Sequence, residues 1–225
     1  MSPSDDQPAT PQRRLVLLAG ASGSGKSRLT RIARSHGNPV PTVSLDDFYH
    51  DHDHPGLPRM AGDAGDASGA TTADTDGVVD WDHLDSWNSA AALTALTELC
   101  ATGSAEVPTY SIAESRRTGT HRIEAGSAST IVAEGIFAPQ MYVLCRDAGL
   151  DVTAVWLDRP RTLSAVLRFV RDVREARKPL PVLLRRGFAL WRAEPGVRSA
   201  ALAAGCIPLS FRRTLDLISD QAPTH

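Results

Sequence analysis

Lysine is nearly absent from this 225-residue chain: Lys26 and Lys178 stand against twenty-two arginines. Cysteine is scarce too. Cys100, Cys145 and Cys206 form an odd set without C-x-x-C spacing, which argues against a disulfide framework or a zinc site and predicts small core residues in a reducing compartment. Net charge is only −2, so no global field draws the chain to nucleic acid or an anionic membrane, and any phosphate binding must be local. Long apolar runs are missing as well. No stretch approaches a membrane span, and the opening dozen residues carry Pro, Asp, Ser and Gln rather than the apolar segment of a signal peptide. These absences predict a soluble, cytoplasmic protein with a disordered tail over 1–12 and one domain over 13–220. That length holds a full α/β core but not a second catalytic domain. Arginine in place of lysine, with many Ala, Gly and Asp, reads as a coding bias.

One of the two lysines falls in Gly20-Ala21-Ser22-Gly23-Ser24-Gly25-Lys26-Ser27, directly after the apolar run Leu15 to Ala19 and at the start of a helical pattern. This is G-x-x-x-x-G-K-[ST] in the strand-then-helix setting that gives the motif its meaning. Its glycines let successive amide groups converge on phosphate oxygens, where a helix N-terminus adds partial positive charge. Lys26 is then expected to reach the β- and γ-phosphates of ATP, Ser27 to ligate Mg²⁺, and Arg28 to complete the nucleotide-binding set.

Short apolar runs at Leu15 to Ala19, Val40 to Leu45, Thr130 to Ala133 and Val152 to Leu157 alternate with helical patterns, as strands buried on both faces do. The helices are predicted near Lys26 to Arg34, Ser89 to Ala101, Pro139 to Ala148, Arg161 to Arg177 and Pro181 to Ala203. Ser89 is the expected N-cap of the second and Gly103 its stop. Two extended pieces, Val107 to Ile112 and His121 to Glu124, joined through Thr118-Gly119, predict a small β-excursion. The expected fold is a three-layer α/β phosphate-loop (P-loop) NTPase fold with a parallel sheet and an Arg-rich helical lid over about 161–180. Residues 51–78 are poor in large apolar side chains and are expected to be a flexible insertion. The His50-Asp51-His52-Asp53-His54 run at its start is read as a solvated loop rather than a metal site.

Three further stretches carry chemistry. Asp46 and Asp47 follow the second strand, where a carboxylate can accept the proton of an attacking hydroxyl; the bland alternative is a helix cap. Glu134 ends the third strand, the place of a Walker-B-like group holding Mg²⁺ through water, with Gly135 allowing close backbone approach. Asp80-Trp81-Asp82-His83-Leu84-Asp85-Ser86-Trp87 offers polar groups for sugar hydroxyls and aromatic faces for a ring, or else a turn anchored by two tryptophans. Farther on, Arg168, Arg171, Arg174 and Lys178 share one helical stripe opposite Leu163, Val166, Val170 and Val173. That stripe is a solvated face, or a lid that neutralises charge on a transferring phosphoryl group, with Pro179 and Pro181 bordering a hinge.

In this order GASGSGKS, LDDFY, DWDHLDSW, the PTY segment leading to Arg116-Arg117, IVAEGIF and RFVRDVREARK resemble the uridine kinase family of phosphate-loop nucleoside kinases, over about residues 14–180. Phosphoribulokinases and pantothenate kinases are more distant relatives. The resemblance implies transfer of the ATP γ-phosphate to the 5′-hydroxyl of uridine or cytidine. Asp46 would be the catalytic base, Lys26 and Arg171 the charge-stabilising groups, and Arg171 a triphosphate contact. Tyr49, Asp82, His83, Tyr110, Arg168 and Glu134 fall on the substrate side. It implies a small-molecule acceptor and leaves a homo-oligomer open. The chain departs from the pattern in three places. Glu114 and Ser115 stand where the family has a base-reading histidine after Tyr110, Leu84 replaces a proline, and the segment after Lys178 matches poorly. That last segment holds Trp191 and Gly205-Cys206-Ile207-Pro208, and adenine contacts are assigned to it without a motif. A kinase of the same fold for pantothenate or a sugar phosphate is the nearest alternative, and a non-catalytic ATP-binding regulator the next. Retention of Asp46 and the lid arginines favours an enzyme, and the lack of N-K-x-D argues against a GTPase.

Overall fold

The computed structural model describes residues 13–35, 40–59, 79–174 and 180–219, side chains at 171–174 and 180–190 excepted. Strand β1 (Arg14–Ala19) lies at the centre, with Leu15, Val16, Leu17 and Leu18 fully buried. The chain continues through α1 (Lys26–Ser35), β2 (Thr42–Ser44), α2 (Ser89–Thr102), β3 (Ser104–Ser111), β4 (Arg116–Glu124), β5 (Thr130–Glu134), α3 (Ala138–Asp147), β6 (Val152–Leu157), α4 (Arg161–Arg174), α5 (Leu180–Ala203), β7 (Ile207–Leu209) and α6 (Phe211–Ser219). The main sheet has the order β2-β5-β1-β6-β7 and is parallel throughout.

Alternate side chains of each strand point to opposite faces, so two cores form. Leu15, Leu17, Ile131, Ala133, Ala154 and Trp156 pack with residues of α2 and α3 on one side. Val16, Leu18, Val132, Val155 and Leu157 pack with Leu29 of α1 and Ile218 of α6 on the other. This is the three-layer α/β arrangement expected. The chain leaves β1 toward β2 and leaves β5 in the opposite direction to β6, which makes the carboxyl ends of β1 and β5 the switch point where ligands bind in such sheets.

Several local expectations change. Asn88, not Ser89, caps α2: its Oδ1 accepts from the Ala91 amide at 2.9 Å, placing the cap one residue earlier. Gly103 ends that helix in the left-handed region at φ 81°. The β-excursion is a longer hairpin, and its turn falls at 112–115 rather than at Thr118-Gly119, which lie inside β4. Ser115 carries that turn at φ 50°. Strand β2 stops at Ser44, because Leu45 to Phe48 coil into a 3₁₀ turn. β7 and α6 were not read from the sequence at all.

The largest change concerns α4. Of the two readings of the basic stripe, a solvated face does not hold at Arg168, which is 4% exposed, while Leu163, Val166 and Val170 of the apolar stripe are 44%, 57% and 38% exposed. The side chains of Arg171 and Arg174, and Lys178 and Pro179 entirely, lie outside the described residues, as do 1–12 and the 60–78 part of the insertion. Cys100, Cys145 and Cys206 are free and buried. Among the described residues no helix is long and apolar enough to cross a membrane.

Candidate active site

The loop from β1 to α1 turns through Gly23 at φ 84° and Gly25 at φ 97°, conformations that a side chain resists. The Lys26 ammonium folds back over the loop and donates to the carbonyl oxygens of Gly20 at 2.8 Å and Ala21 at 3.5 Å. Ser27 lies in the first turn of α1, and its Oγ donates to Oε1 of Glu134 at 3.0 Å, joining the loop to the tip of β5. A hydroxyl and a carboxylate so paired are hard oxygen donors of the kind Mg²⁺ takes, directly or through water, so these residues fit that ion. Among the described residues no group of three or more His, Cys, Asp or Glu converges as a metal cage.

Asp46 enters from the 3₁₀ turn after β2. Burial pushes its carboxyl up to about 6, the Glu134 charge adds to this, and Lys26 and the Ile136 amide pull it back. Its Oδ1 is buried and without a hydrogen-bond partner among the described residues, an arrangement that costs free energy unless a ligand satisfies it. Gly135 makes this placement possible, since a β-carbon there would stand 2.7 Å from Leu45 Cβ and 3.1 Å from Asp46 Oδ1. Lys26, Ser27, Asp46 and Glu134 thus share one cleft of about 420 Å³, floored by the loop and closed at one side by Leu167 of α4.

At the far end of Asp46 lies a set of rings. Tyr49 meets Trp81 edge-on at 5.6 Å, Tyr110 at 5.8 Å and Phe137 at 5.8 Å between centroids. Burial, then the charges of Asp46 and Asp82, hold the Tyr49 phenol well above its ordinary range. The Tyr110 hydroxyl donates to the His50 carbonyl at 3.1 Å, its amide donates to Asp47 Oδ1 at 3.3 Å, and burial lifts its phenol to about 12. Asp82 is exposed beside this cluster, whereas His83 is used locally: its Nδ1 accepts from the Asp85 amide at 3.2 Å. Trp87, one of the two tryptophans of that stretch, is structural, stacked on Phe137 and 3% exposed. His50 and His54 stack at 4.0 Å.

Arg168 lies on the phosphate-loop side, where one guanidinium nitrogen donates to the Ser22 carbonyl at 3.4 Å. Phe211 sits under the guanidiniums of two residues that line the cleft, Arg159 at 5.0 Å and Arg28 at 6.0 Å, and a β-carbon on Gly25 would touch its ring at 3.6 Å. Sequence reasoning missed Arg159, Phe211 and Phe137. A signal for the first two existed: each follows the carboxyl end of a strand, the edge where the site had to be.

No family model matches the chain. A uridine kinase of Tolumonas auensis is 26% identical over 180 residues, spanning 76% of this chain and 73% of that protein. Among solved structures, a candidate fructose transport system kinase of Silicibacter sp. TM1040 superposes with a TM-score of 0.55 at 18% identity, over 91% of each chain. A D-glycerate 3-kinase of Cryptococcus neoformans var. grubii gives 0.50 at 12% identity, over 93% of this chain and 90% of that one. The parallel sheet, the loop at its switch point and these likenesses define a phosphate-loop kinase, a phosphotransferase acting on a small molecule. Within that class the curated likeness, at 26% identity, is to a uridine kinase.

Proposed function

We propose that this chain transfers the γ-phosphoryl group of ATP to the 5′-hydroxyl of a pyrimidine ribonucleoside, uridine or cytidine, in the cytoplasm. The observation that carries the reading is the position of Asp46. Its unpartnered carboxylate oxygen shares a cleft with Ser27 and Glu134, and its charge acts on Tyr49, whose ring meets those of Trp81 and Tyr110. Rings at that distance suit an acceptor that is itself a flat ring, and Asp82 at their edge suits sugar hydroxyls.

The chemistry follows from these groups. Asp46 takes the proton of the acceptor hydroxyl as that oxygen bonds to the γ-phosphorus and the bond to the β,γ-bridging oxygen breaks, leaving ADP. Lys26 gives up its contacts with the Gly20 and Ala21 carbonyls and turns its charge to the phosphates, and the loop amides receive the remaining oxygens. Ser27, and Glu134 through water, would hold Mg²⁺, which would supply further neutralisation of the phosphate charge. Arg171, one turn beyond the part of α4 that covers the loop, acts as the lid arginine.

The test is ADP release from Mg·ATP with purified protein and separate acceptors: uridine, cytidine, purine nucleosides, pantothenate and sugar phosphates. Turnover confined to pyrimidine nucleosides, with the monophosphate found by mass, supports the reading. Turnover with a non-aromatic alcohol alone replaces it by a kinase of that alcohol.

A further inference from the structure

The turn that leaves β6 is anchored beside the phosphate loop. Asp158 opens it, and its amide donates to the Leu209 carbonyl at the end of β7 at 2.8 Å. Its carboxylate lies in a fork from Arg198 of α5, Nε to Oδ1 and Nη2 to Oδ2, both at 3.1 Å. A two-bond fork of this kind fixes orientation as well as distance, which a single-contact surface pair does not. Pro160 follows, and a residue before proline is confined to extended backbone. Between these two anchors stands Arg159.

The side chain of Arg159 lies along the phosphate loop. Its guanidinium carbon is 5.0 Å from the centroid of the Phe211 ring, and a β-carbon on Gly25 would lie 3.7 Å from its Nη1. It lines the same cleft as Lys26, Arg28 and Asp46. Among the described residues its guanidinium has that ring for a neighbour but no hydrogen-bond acceptor and no carboxylate. Asp158, next to it in the chain, has both oxygens taken by Arg198. The charge of Arg159 is therefore unspent, half-buried, and set where a phosphate loop receives its anion. Neither Arg159 nor Arg198 belongs to any motif read from the sequence.

We propose that Arg159 is a binding residue for the phosphates of the nucleotide, and that Arg198 is its positioning residue, acting through Asp158. The inference rests on the reading of the loop as the ATP site. Phe211 supports the flat guanidinium with its ring, which leaves N–H groups for phosphate oxygens. Arg198 does two things: it fixes the turn, and it occupies a carboxylate that could otherwise capture Arg159. Contacts of this kind are made with bound ATP before and during transfer, so they set the affinity for ATP rather than the acceptor KM.

The experiment is calorimetric titration of the full chain with Mg·ATP and with AMP, alongside kcat and both KM values. Arg159→Gln should raise Kd and KM for ATP roughly ten- to hundred-fold, the scale of a lost charge-assisted contact, and raise Kd for AMP less. Arg159→Lys keeps the charge and should recover part of that loss. Arg198→Ala should weaken ATP binding with the acceptor KM unchanged, and the double variant Arg159→Gln/Arg198→Ala should bind no more weakly than Arg159→Gln alone. Wild-type affinity in Arg159→Gln overturns the assignment, and equal losses in the Gln and Lys variants replace the phosphate contact by a stacking surface. Unchanged ATP affinity in Arg198→Ala, or losses that add in the double variant, overturn the positioning role and leave the ion pair a brace for α5. No nucleotide binding by the wild type would instead overturn the loop reading on which the proposal rests.

Discussion

The indole Nε1 of Trp87 donates to the carbonyl oxygen of Leu45 at 2.7 Å, in a fully buried contact between residues 42 apart. The next residue is Asp46. The 3₁₀ turn that presents Asp46, the proposed base, is thus fixed from outside itself, by a ring also stacked on Phe137 at 4.8 Å. Trp87→Phe keeps a ring and leaves the Leu45 carbonyl unpaired. It should cost about 1–3 kcal/mol in urea unfolding, as loss of a buried hydrogen-bond partner does.

Asp46 must be ionised to take a proton, and its carboxyl is held at about 6. The phosphoryl-transfer rate at saturating substrates should therefore climb with pH through about 6 and level off above 7. Asp46→Asn should lower kcat on the order of 10²- to 10³-fold, by analogy with loss of one transition-state group, while still binding Mg·ATP. Near-normal turnover in that variant would remove Asp46 from the mechanism.

The same shift sets a stability profile. A carboxyl raised from 3.8 to about 6 binds its proton more tightly in the folded than in the unfolded state. Its contribution is fully present below pH 4 and is lost as pH rises through about 6. The ligand-free Asp46→Asn protein should accordingly be more stable than wild type at pH 7.5, by roughly 2–3 kcal/mol, and no more stable at pH 4. Denaturant melts at the two pH values would show the gain; a gain that persists in acid would assign it elsewhere.

Gly23→Ala meets two obstacles, a left-handed φ of 84° and the Ser164 carbonyl 2.4 Å from the new methyl group. It should lower the melting temperature and weaken ATP binding at least tenfold, because the loop and α4 cannot keep their contact. Gly119→Ala, where nothing lies within 4 Å, is the control and should stay within about 0.5 kcal/mol of wild type.

What could be read from the chain was what is local. The phosphate loop is a run of eight consecutive residues, and Asp46 and Glu134 announce themselves as acids at the tips of apolar strands. Which of the two readings of the α4 stripe holds was not legible in this way. Periodicity tells which residues share a face, but not which face turns inward when the neighbour is a loop of carbonyls rather than a core. Arg168 is buried against the loop, where it donates to the carbonyl of Ser22, 146 residues earlier. Strand β7, three residues long, was too short to leave a period, whereas Phe211, Leu215 and Ile218 of the nine-residue α6 recur at helical spacing and were open to reading. The hairpin turn was misplaced because Gly119 marks a turn by composition, while the chain turns instead through Ser115, a residue with no such mark.

The strand order also fixes a sequence of events during synthesis. Of the described strands β1 is made first, yet both of its edges are covered by strands made much later, β5 at Thr130–Glu134 and β6 at Val152–Leu157. Until then Leu15 to Leu18 form an apolar ribbon with unpaired amides on either side, the kind of surface that aggregates or recruits chaperones. β2 gives no relief, because its partner among the described strands is also β5. Assembly of the sheet in the nascent chain therefore waits on residue 130.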